Sequence, residues 1–364
     1  MQDTDPLAVI AGEAPQFPAD EAVSIAAEYY GLDVTVRPLV SERDQNFRLQ
    51  AADGNKYVLK IANAVEDPQV TDLQIRALVH IAGRIRAENI PVNVPELVPT
   101  LDGEASFLLE KNGRQHVARV VTFLEGEPLA ATIPSPPLAR NAGKCLANLG
   151  RALLGFEHPG SHHSLLWDIQ QALNLRRLIE FVRDQDVARA VAAALNDFDK
   201  YTTPVMPQLR AQVIHSDLNP DNLLVVPDNR DQVAGVIDFG DMLYSPLVAD
   251  VAIGCSYLRA TDGNPLALTS EFIAGYHQVT PLEPVETEIL FELIQARLAA
   301  SITILEWRRS LRGSGDPYLA KLHAGEHSAG RFLLRLREIP RELVLQTFRQ
   351  VCASVGDQPV RIPE

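Results

Sequence analysis

The sequence predicts an α+β protein of two lobes, an antiparallel-sheet lobe followed by a mostly helical one. Three observations carry this. The chain has 364 residues, more than a single hydrophobic core usually serves. Its first third runs strand, strand, strand, helix, strand, strand, which is not the βαβ alternation of a parallel sheet. Beyond residue 124 the apolar residues recur at the helical period.

The elements follow in order. Residues 20–30 read as a helix stopped by Gly31. Residues 34–40, 47–51 and 57–61 read as strands, with Asp53-Gly54-Asn55 turning the chain between the second and third. Residues 72–86 have helical spacing, with Leu73, Ala77, Leu78 and Ile81 on one side. Strands at 107–110 and 117–124 complete the sheet. Glu125-Gly126-Glu127-Pro128 reads as a crossing segment, and Ile133-Pro134-Ser135-Pro136-Pro137 is rich in helix breakers. The lobes are therefore expected to divide into residues 1–124 and 125–364. In the second lobe helices are expected at 138–156, 169–198, 247–258, 265–276, 285–311 and 341–355. Short apolar runs at 222–226 and 233–239 interrupt them.

Composition narrows the class. Hydrophobic residues make up 46% and charged residues 22%, as in ordinary globular chains, so fibrous and disordered classes are excluded. The formal net charge of -14 speaks against a nucleic-acid surface and against an anionic membrane. It suits a cationic substrate, and equally it is a solubility feature. Cys145, Cys255 and Cys352 are odd in number and form no CxxC pair, which favours a reducing compartment. Met1-Gln2-Asp3-Thr4-Asp5 lacks the positive charge of a secretory signal, and the apolar run ends after Leu7 to Ile10. No stretch approaches the roughly 20 apolar residues of a membrane span. A cytoplasmic location is the expectation.

The chemistry concentrates in Val213-Ile214-His215-Ser216-Asp217-Leu218-Asn219-Pro220-Asp221-Asn222-Leu223-Leu224-Val225. This is H-x-D with an Asn five positions after the Asp; sixteen residues further comes Asp238-Phe239-Gly240, preceded by apolar Val236-Ile237. The pattern is the catalytic-loop and metal-loop pair of the protein-kinase-like fold. Phosphoryl transfer needs charge compensation and positioning more than covalent help. Mg²⁺ prefers hard oxygen ligands, which Asn222 and Asp238 would supply. Asp217 fits the carboxylate that orients an acceptor hydroxyl and takes its proton, and His215 fits a brace for the loop.

A cation for the donor phosphates is expected from Lys60, central in the apolar strand Tyr57-Val58-Leu59-Lys60-Ile61. The following helix has no Glu at the spot that usually pairs with such a lysine. Gln74 and Asp72 are the candidates, and both also read as solvent-facing polar residues. The turn Ser41-Glu42-Arg43-Asp44-Gln45-Asn46 has no GxGxxG; its backbone N–H groups, Asn46 and Arg43 are candidate phosphate contacts, and it also reads as a plain hairpin loop.

Asp44-Gln45-Asn46-Phe47, Tyr57 to Ile61, Gly235-Val236-Ile237-Asp238-Phe239-Gly240-Asp241-Met242, Tyr244 and Val251-Ala252-Ile253 together resemble the aminoglycoside phosphotransferase superfamily. The resemblance spans nearly the whole chain and is greatest to the hydroxylysine kinases. It implies transfer of the γ-phosphoryl group of GTP or ATP, with Mg²⁺, to a hydroxyl of a small, cationic amino alcohol such as 5-hydroxylysine. Homoserine, choline and aminoglycosides are the other acceptors it allows. It matches Asp217 to the catalytic base, Asn222 and Asp238 to the metal ligands, Lys60 to the phosphate-binding lysine, and Asp250 to the brace of the catalytic loop. Gln74 looks like a trait of the subfamily. Ser216 departs from it, because relatives commonly have Gly there.

For the acceptor's ammonium group, Asp241, Glu306 and Trp307 are candidates, the last through its ring face. Surface and core roles, respectively, compete for Glu306 and Trp307. Arg297 suits either a substrate carboxylate or packing. No dense acidic cluster is present, which disfavours a polycationic drug. A catalytically inactive binding protein of the same fold is opposed by the complete set Lys60, Asp217, Asn222 and Asp238. A dinucleotide-binding dehydrogenase is excluded by the missing glycine fingerprint.

Overall fold

A computed structural model describes residues 14–41, 43–260, 262–312 and 329–356. The amino-terminal residues 1–13, on which the signal-sequence argument rested, lie outside these. Helix α1 (Ala19–Tyr30) ends at Gly31, whose φ of 65° is left-handed and open to glycine without a Cβ clash. Strands β1 (Val34–Leu39), β2 (Gln45–Ala51) and β3 (Lys56–Ile61) form an antiparallel meander. Its second turn is closed by the Asp53 carboxylate accepting from the Asn55 N–H at 2.9 Å. Helix α2 (Pro68–Glu88) begins where Asp67 accepts from the Gln69 N–H and Pro68 sits in the first turn, needing no donor there.

Strands β4 (Leu97–Val98), β5 (Phe107–Lys111) and β6 (Arg114–Thr122) complete a six-stranded antiparallel sheet. Its order is β1-β2-β3-β6, with β5 and β4 sharing the far side of β6. The helical region holds α3 (Pro136–Leu153), α4 (Gln185–Asp197), α5 (Leu247–Tyr257), α6 (Ala267–Val279), α7 (Pro284–Arg312), α8 (329–337) and α9 (Arg341–Gly356). Two small sheets are set among these helices. One is β7 (Glu127–Pro128), β9 (Leu223–Val226) and β10 (Asn229–Val236); the other is β8 (Ala211–Ile214) paired with β11 (Leu243–Pro246). The class is α+β, with a sheet region first and helices after it. Among the described residues no helix is long and apolar enough to cross a membrane.

Two expectations are corrected. The single helix expected at 169–198 is a 3₁₀ run (Ile169–Phe181) followed by the separate α4. The reason is a second cap: Asp184 accepts from the N–H groups of Asp186 and Val187, which restarts the helix. The breaker-rich stretch before 138 is itself a helix start. Ser135 Oγ accepts from the Leu138 N–H at 3.1 Å, and the prolines occupy the first turn.

Two apolar cores result. The smaller lies between α1 and the sheet and includes Ile25, Tyr30, Phe47, Leu49, Leu59 and Val120. The larger fills the helical region and takes in Leu73, Ala77, Leu78 and Ile81 of α2. Helix α2 thus follows β3 in the chain yet buries its apolar side with the helices, next to the loops described below.

Candidate active site

The small sheets deliver two loops to one place. Strand β8 leads into residues 215–222, and β10 leads into residues 237–242. The first loop is pinned from behind by Asp250 of α5, which accepts from the N–H groups of His215 at 3.1 Å and Ser216 at 2.8 Å. Ser216 has φ 64°, a left-handed conformation that glycine adopts without cost and other residues do not. The two bonds from Asp250 hold it there. Burial pushes the Asp250 carboxyl up to about 6 even against those N–H donors.

His215 is fully buried and links the loops. Its Nδ1 accepts from the Asp217 N–H at 3.3 Å, so its Nε2 carries the proton and donates to Ile237 O at 3.2 Å. Burial lowers its pKa, which keeps the ring neutral. Its ring meets Phe239 edge-on at 4.9 Å.

Asp217 is held at both oxygens. Oδ2 accepts from Asn219 Nδ2 and from Asn222 Nδ2, each at 2.8 Å. Oδ1 accepts from Arg297 Nη2 at 3.3 Å. Burial, reinforced by the nearby Asp241 charge and opposed by Arg297, pushes the carboxyl up to about 7. Asn222 Nδ2 also donates to the Asp217 backbone oxygen at 2.9 Å. With its nitrogen so committed, the oxygen of Asn222 faces away from Asp217.

Asp238 is left-handed, with φ 61°. Lys60 Nζ from β3 meets its Oδ1 at 3.1 Å, so the sheet touches the second loop at this point. The Lys60 ammonium is the main reason the Asp238 carboxyl is held down at about 2. In the sheet Lys60 stands opposite Asn46 of β2 and Arg119 of β6. Asn46 is buried, and among the described residues its Oδ1 has no hydrogen-bond partner. Arg43, from the turn between β1 and β2, forms an ion pair with Asp241 and lies 4.0 Å from Glu66.

Lys60, Asp217, Asn222, Asp238, His215 and Asp250 are therefore brought to one place, with Asn46 beside Lys60. Gln74 is close by but faces elsewhere. Its oxygen accepts from Arg119 and its nitrogen donates to Gly240 O at 3.4 Å. Asp72 pairs with Arg76 and His158. Asp241 is in the site and already has a cationic partner. The two acceptor candidates on α7 stand differently. Trp307 belongs to the larger apolar core at 8% exposure, and Glu306 pairs with Arg309 on the same helix.

Arg297, weighed as a substrate-carboxylate partner, is instead 1% exposed and occupied. Besides Asp217 it donates to Trp167 O at 3.1 Å and to Tyr257 Oη at 3.2 Å, with the Trp167 ring 5.0 Å away. Arg119 carried no sequence signal, since one cation in a strand looks like any other. Asn219 had one: an Asn two residues after an Asp reads as a local loop clamp.

The oxygen donors suit a hard cation. Asp238 offers a carboxylate and Asn222 an amide oxygen. Among the described residues no group of three or more His, Cys, Asp or Glu could hold a metal alone. The pair fits a metal completed by phosphate oxygens and water.

Comparison with known proteins agrees with this geometry. The model of the phosphotransferase enzyme family matches residues 35–289, more than half of the chain. The hydroxylysine kinase of Danio rerio is 27% identical over 357 residues, covering 93% of this chain and 98% of that protein. The Bos taurus hydroxylysine kinase is 29% identical over 332 residues, covering 84% and 86%. Among solved structures, a microcompartment-associated aminopropanol kinase aligns with a TM-score of 0.64 at 16% identity, covering 93% of this chain and 99% of that one. Spectinomycin phosphotransferase in complex with ADP and spectinomycin aligns with a TM-score of 0.60 at 13% identity, covering 94% and 100%. The structural likenesses establish a protein-kinase-like fold.

Proposed function

Because the chain belongs to the phosphotransferase enzyme family, we propose that it is a kinase that moves the γ-phosphoryl group of GTP or ATP onto the side-chain hydroxyl of 5-hydroxylysine. The observation that carries this is the convergence of four side chains. Lys60 of β3 meets Asp238 at 3.1 Å, and Asn222 meets Asp217 at 2.8 Å, with His215 linking the two loops. The likeness to hydroxylysine kinases along most of the chain supports the acceptor.

In this reading residues 1–124 form the nucleotide-binding lobe, and residues 125–364 carry the catalytic and metal loops and the acceptor site. Lys60 and Asn46 hold the donor phosphates together with N–H groups of the turn before β2. Asn222 and Asp238 would hold Mg²⁺, which when bound neutralises charge on the phosphates. Asp217 receives the acceptor hydroxyl, aligns its oxygen with the γ-phosphorus and takes its proton as the new P–O bond forms and the bond to the β-phosphate oxygen breaks. Asp241 faces the acceptor's ammonium group. Cys145, Cys255 and Cys352 are all free thiols, which suits a cytoplasmic enzyme.

The test is a nucleotide-consumption assay with GTP and ATP over 5-hydroxylysine, homoserine, choline and an aminoglycoside. The expected result is the highest kcat/KM with 5-hydroxylysine. Asp217→Asn should lower kcat by roughly 10²–10⁴-fold with little change in nucleotide affinity. A wild-type protein that binds nucleotide and turns over none of the four would overturn the reading.

A further inference from the structure

The amide of Gln74 can be oriented from its partners alone. A guanidinium only donates, so the Gln74 oxygen must face Arg119 Nη2. The nitrogen then faces the other way, toward Gly240 O at 3.4 Å. Three separate segments meet at this one amide. Arg119 brings β6, Gln74 brings α2, and Gly240 brings the loop that carries Asp238. Gln74 is itself buried, at 5% exposure.

Arg119 is the less expected member. It is among the largest fully buried side chains, and it stands directly opposite Lys60 in the β3–β6 register. Among the described residues its Nε and Nη1 have no hydrogen-bond partner. A guanidinium buried with so few bonds is costly, and an apolar side chain of similar size would pack at less cost. The opposite charges that act on it include Asp44 and Asp238, which flank the proposed phosphate site from the turn and the metal loop. A Cβ on Gly240 would lie 3.3 Å from Asp238 Oδ1 and 3.5 Å from Arg43 Nη2, so Gly240 sits directly beside the Asp238 carboxylate.

We infer that Arg119 and Gln74 are positioning residues that tie α2 and the sheet to the 238–241 loop. They do this in place of a pairing between the strand lysine and an acidic residue of the helix. In protein kinases that lysine is bound by a helix glutamate. Here the tie has moved one strand over, to Arg119, and Lys60 is left to Asp238 and the donor phosphates. The geometry also explains why a glutamine suits position 74. The position needs an acceptor toward Arg119 and a donor toward a backbone carbonyl, and a carboxylate supplies only the first. The activity arm of this inference rests on the kinase reading above; the structural arm does not.

The decisive variant is Gln74→Glu. It keeps and strengthens the bond to Arg119, so the fold and its Tm should hold. It removes the donor to Gly240 O and sets a carboxylate against a carbonyl. Hydrogen–deuterium exchange should quicken in the peptide covering 237–242 while the β3 peptide covering 57–61 stays as in wild type. With the acceptor, kcat should fall roughly ten-fold, as expected for one lost hydrogen bond, while acceptor KM stays within about two-fold. Arg119→Lys, which keeps the charge and one donor, should lose less than Arg119→Met. Where Arg119→Met does not fold, the Gln74→Glu and Arg119→Lys results decide. Unchanged exchange at 237–242 in Gln74→Glu would overturn the inference. So would a fall in kcat that merely tracks a fall in Tm. If the wild type turned over no acceptor, the kinase reading would fail, and the exchange comparison would still decide the tie.

Discussion

Asp217 is a partly buried carboxylate whose three side-chain donors come from two sources. Asn219 and Asn222 lie in its own loop, and Arg297 reaches in from α7. A base must be ionised to take a proton. With its carboxyl pushed up to about 7, chiefly by burial, its ionised fraction falls roughly ten-fold per pH unit below that value. The expected profile is therefore a kcat/KM that rises with pH and levels off above neutrality. Arg297 favours the charged form, so Arg297→Met should move the acid limb to higher pH, and Arg297→Lys should move it less. A limb that stays put in both variants would remove Arg297 from this role. The contrast also shows what a sequence gives at this scale. Asp217, Asn222 and Asp238 were readable because loop chemistry is written in short fixed spacings. Arg297 is 80 positions from its carboxylate, and a lone Arg in an apolar helix reads alike as packing or as a ligand.

Elements with a clear period were legible, and those without one were not. Strands β1, β2 and β3 each run six or seven residues and fell within a residue or two of expectation. Strands β4 and β7 have two residues each, too few for alternation to register, and their partners are remote. The helix pair α3 and α6 gives a prediction at this scale. The two pack through glycines: a Cβ on Gly143 would lie 2.0 Å from Phe272 O, and one on Gly275 would lie 1.9 Å from Arg140 O. Backbone atoms cannot yield as a side chain can, so Gly143→Ala should cost about 1–3 kcal/mol or more through overpacking. Gly83, on the exposed side of α2, has open space where its Cβ would go. Gly83→Ala should therefore stabilise by about 0.5–1 kcal/mol from helix propensity. Thermal or urea unfolding of the two variants reads both signs. A neutral Gly143→Ala would mean that the helices sit further apart than described.

Across the whole molecule the side chains of the candidate site come from both regions, and ion pairs at the site link them, among them Lys60 with Asp238 and Arg43 with Asp241. The division into sheet and helices was legible because the hydrophobic period changes along the chain. The Arg43–Asp241 pair was not, since its members lie 198 positions apart. Asp241 has two consequences that can be separated. It repels the Asp217 charge and so helps to hold that carboxyl up, and in the proposed reading it faces the acceptor's ammonium group. Asp241→Asn removes the repulsion, so the acid limb of kcat/KM should move to lower pH whatever the acceptor. The same substitution should raise KM for a cationic amino alcohol several-fold at low salt. For an uncharged alcohol of similar length KM should hardly move, because the lost attraction acts only on a charge. Equal KM changes for both alcohols would assign Asp241 to holding Arg43 alone. Unequal changes would place the acceptor's cation beside the loop that also carries Asp238, with donor and acceptor sharing one electrostatic site.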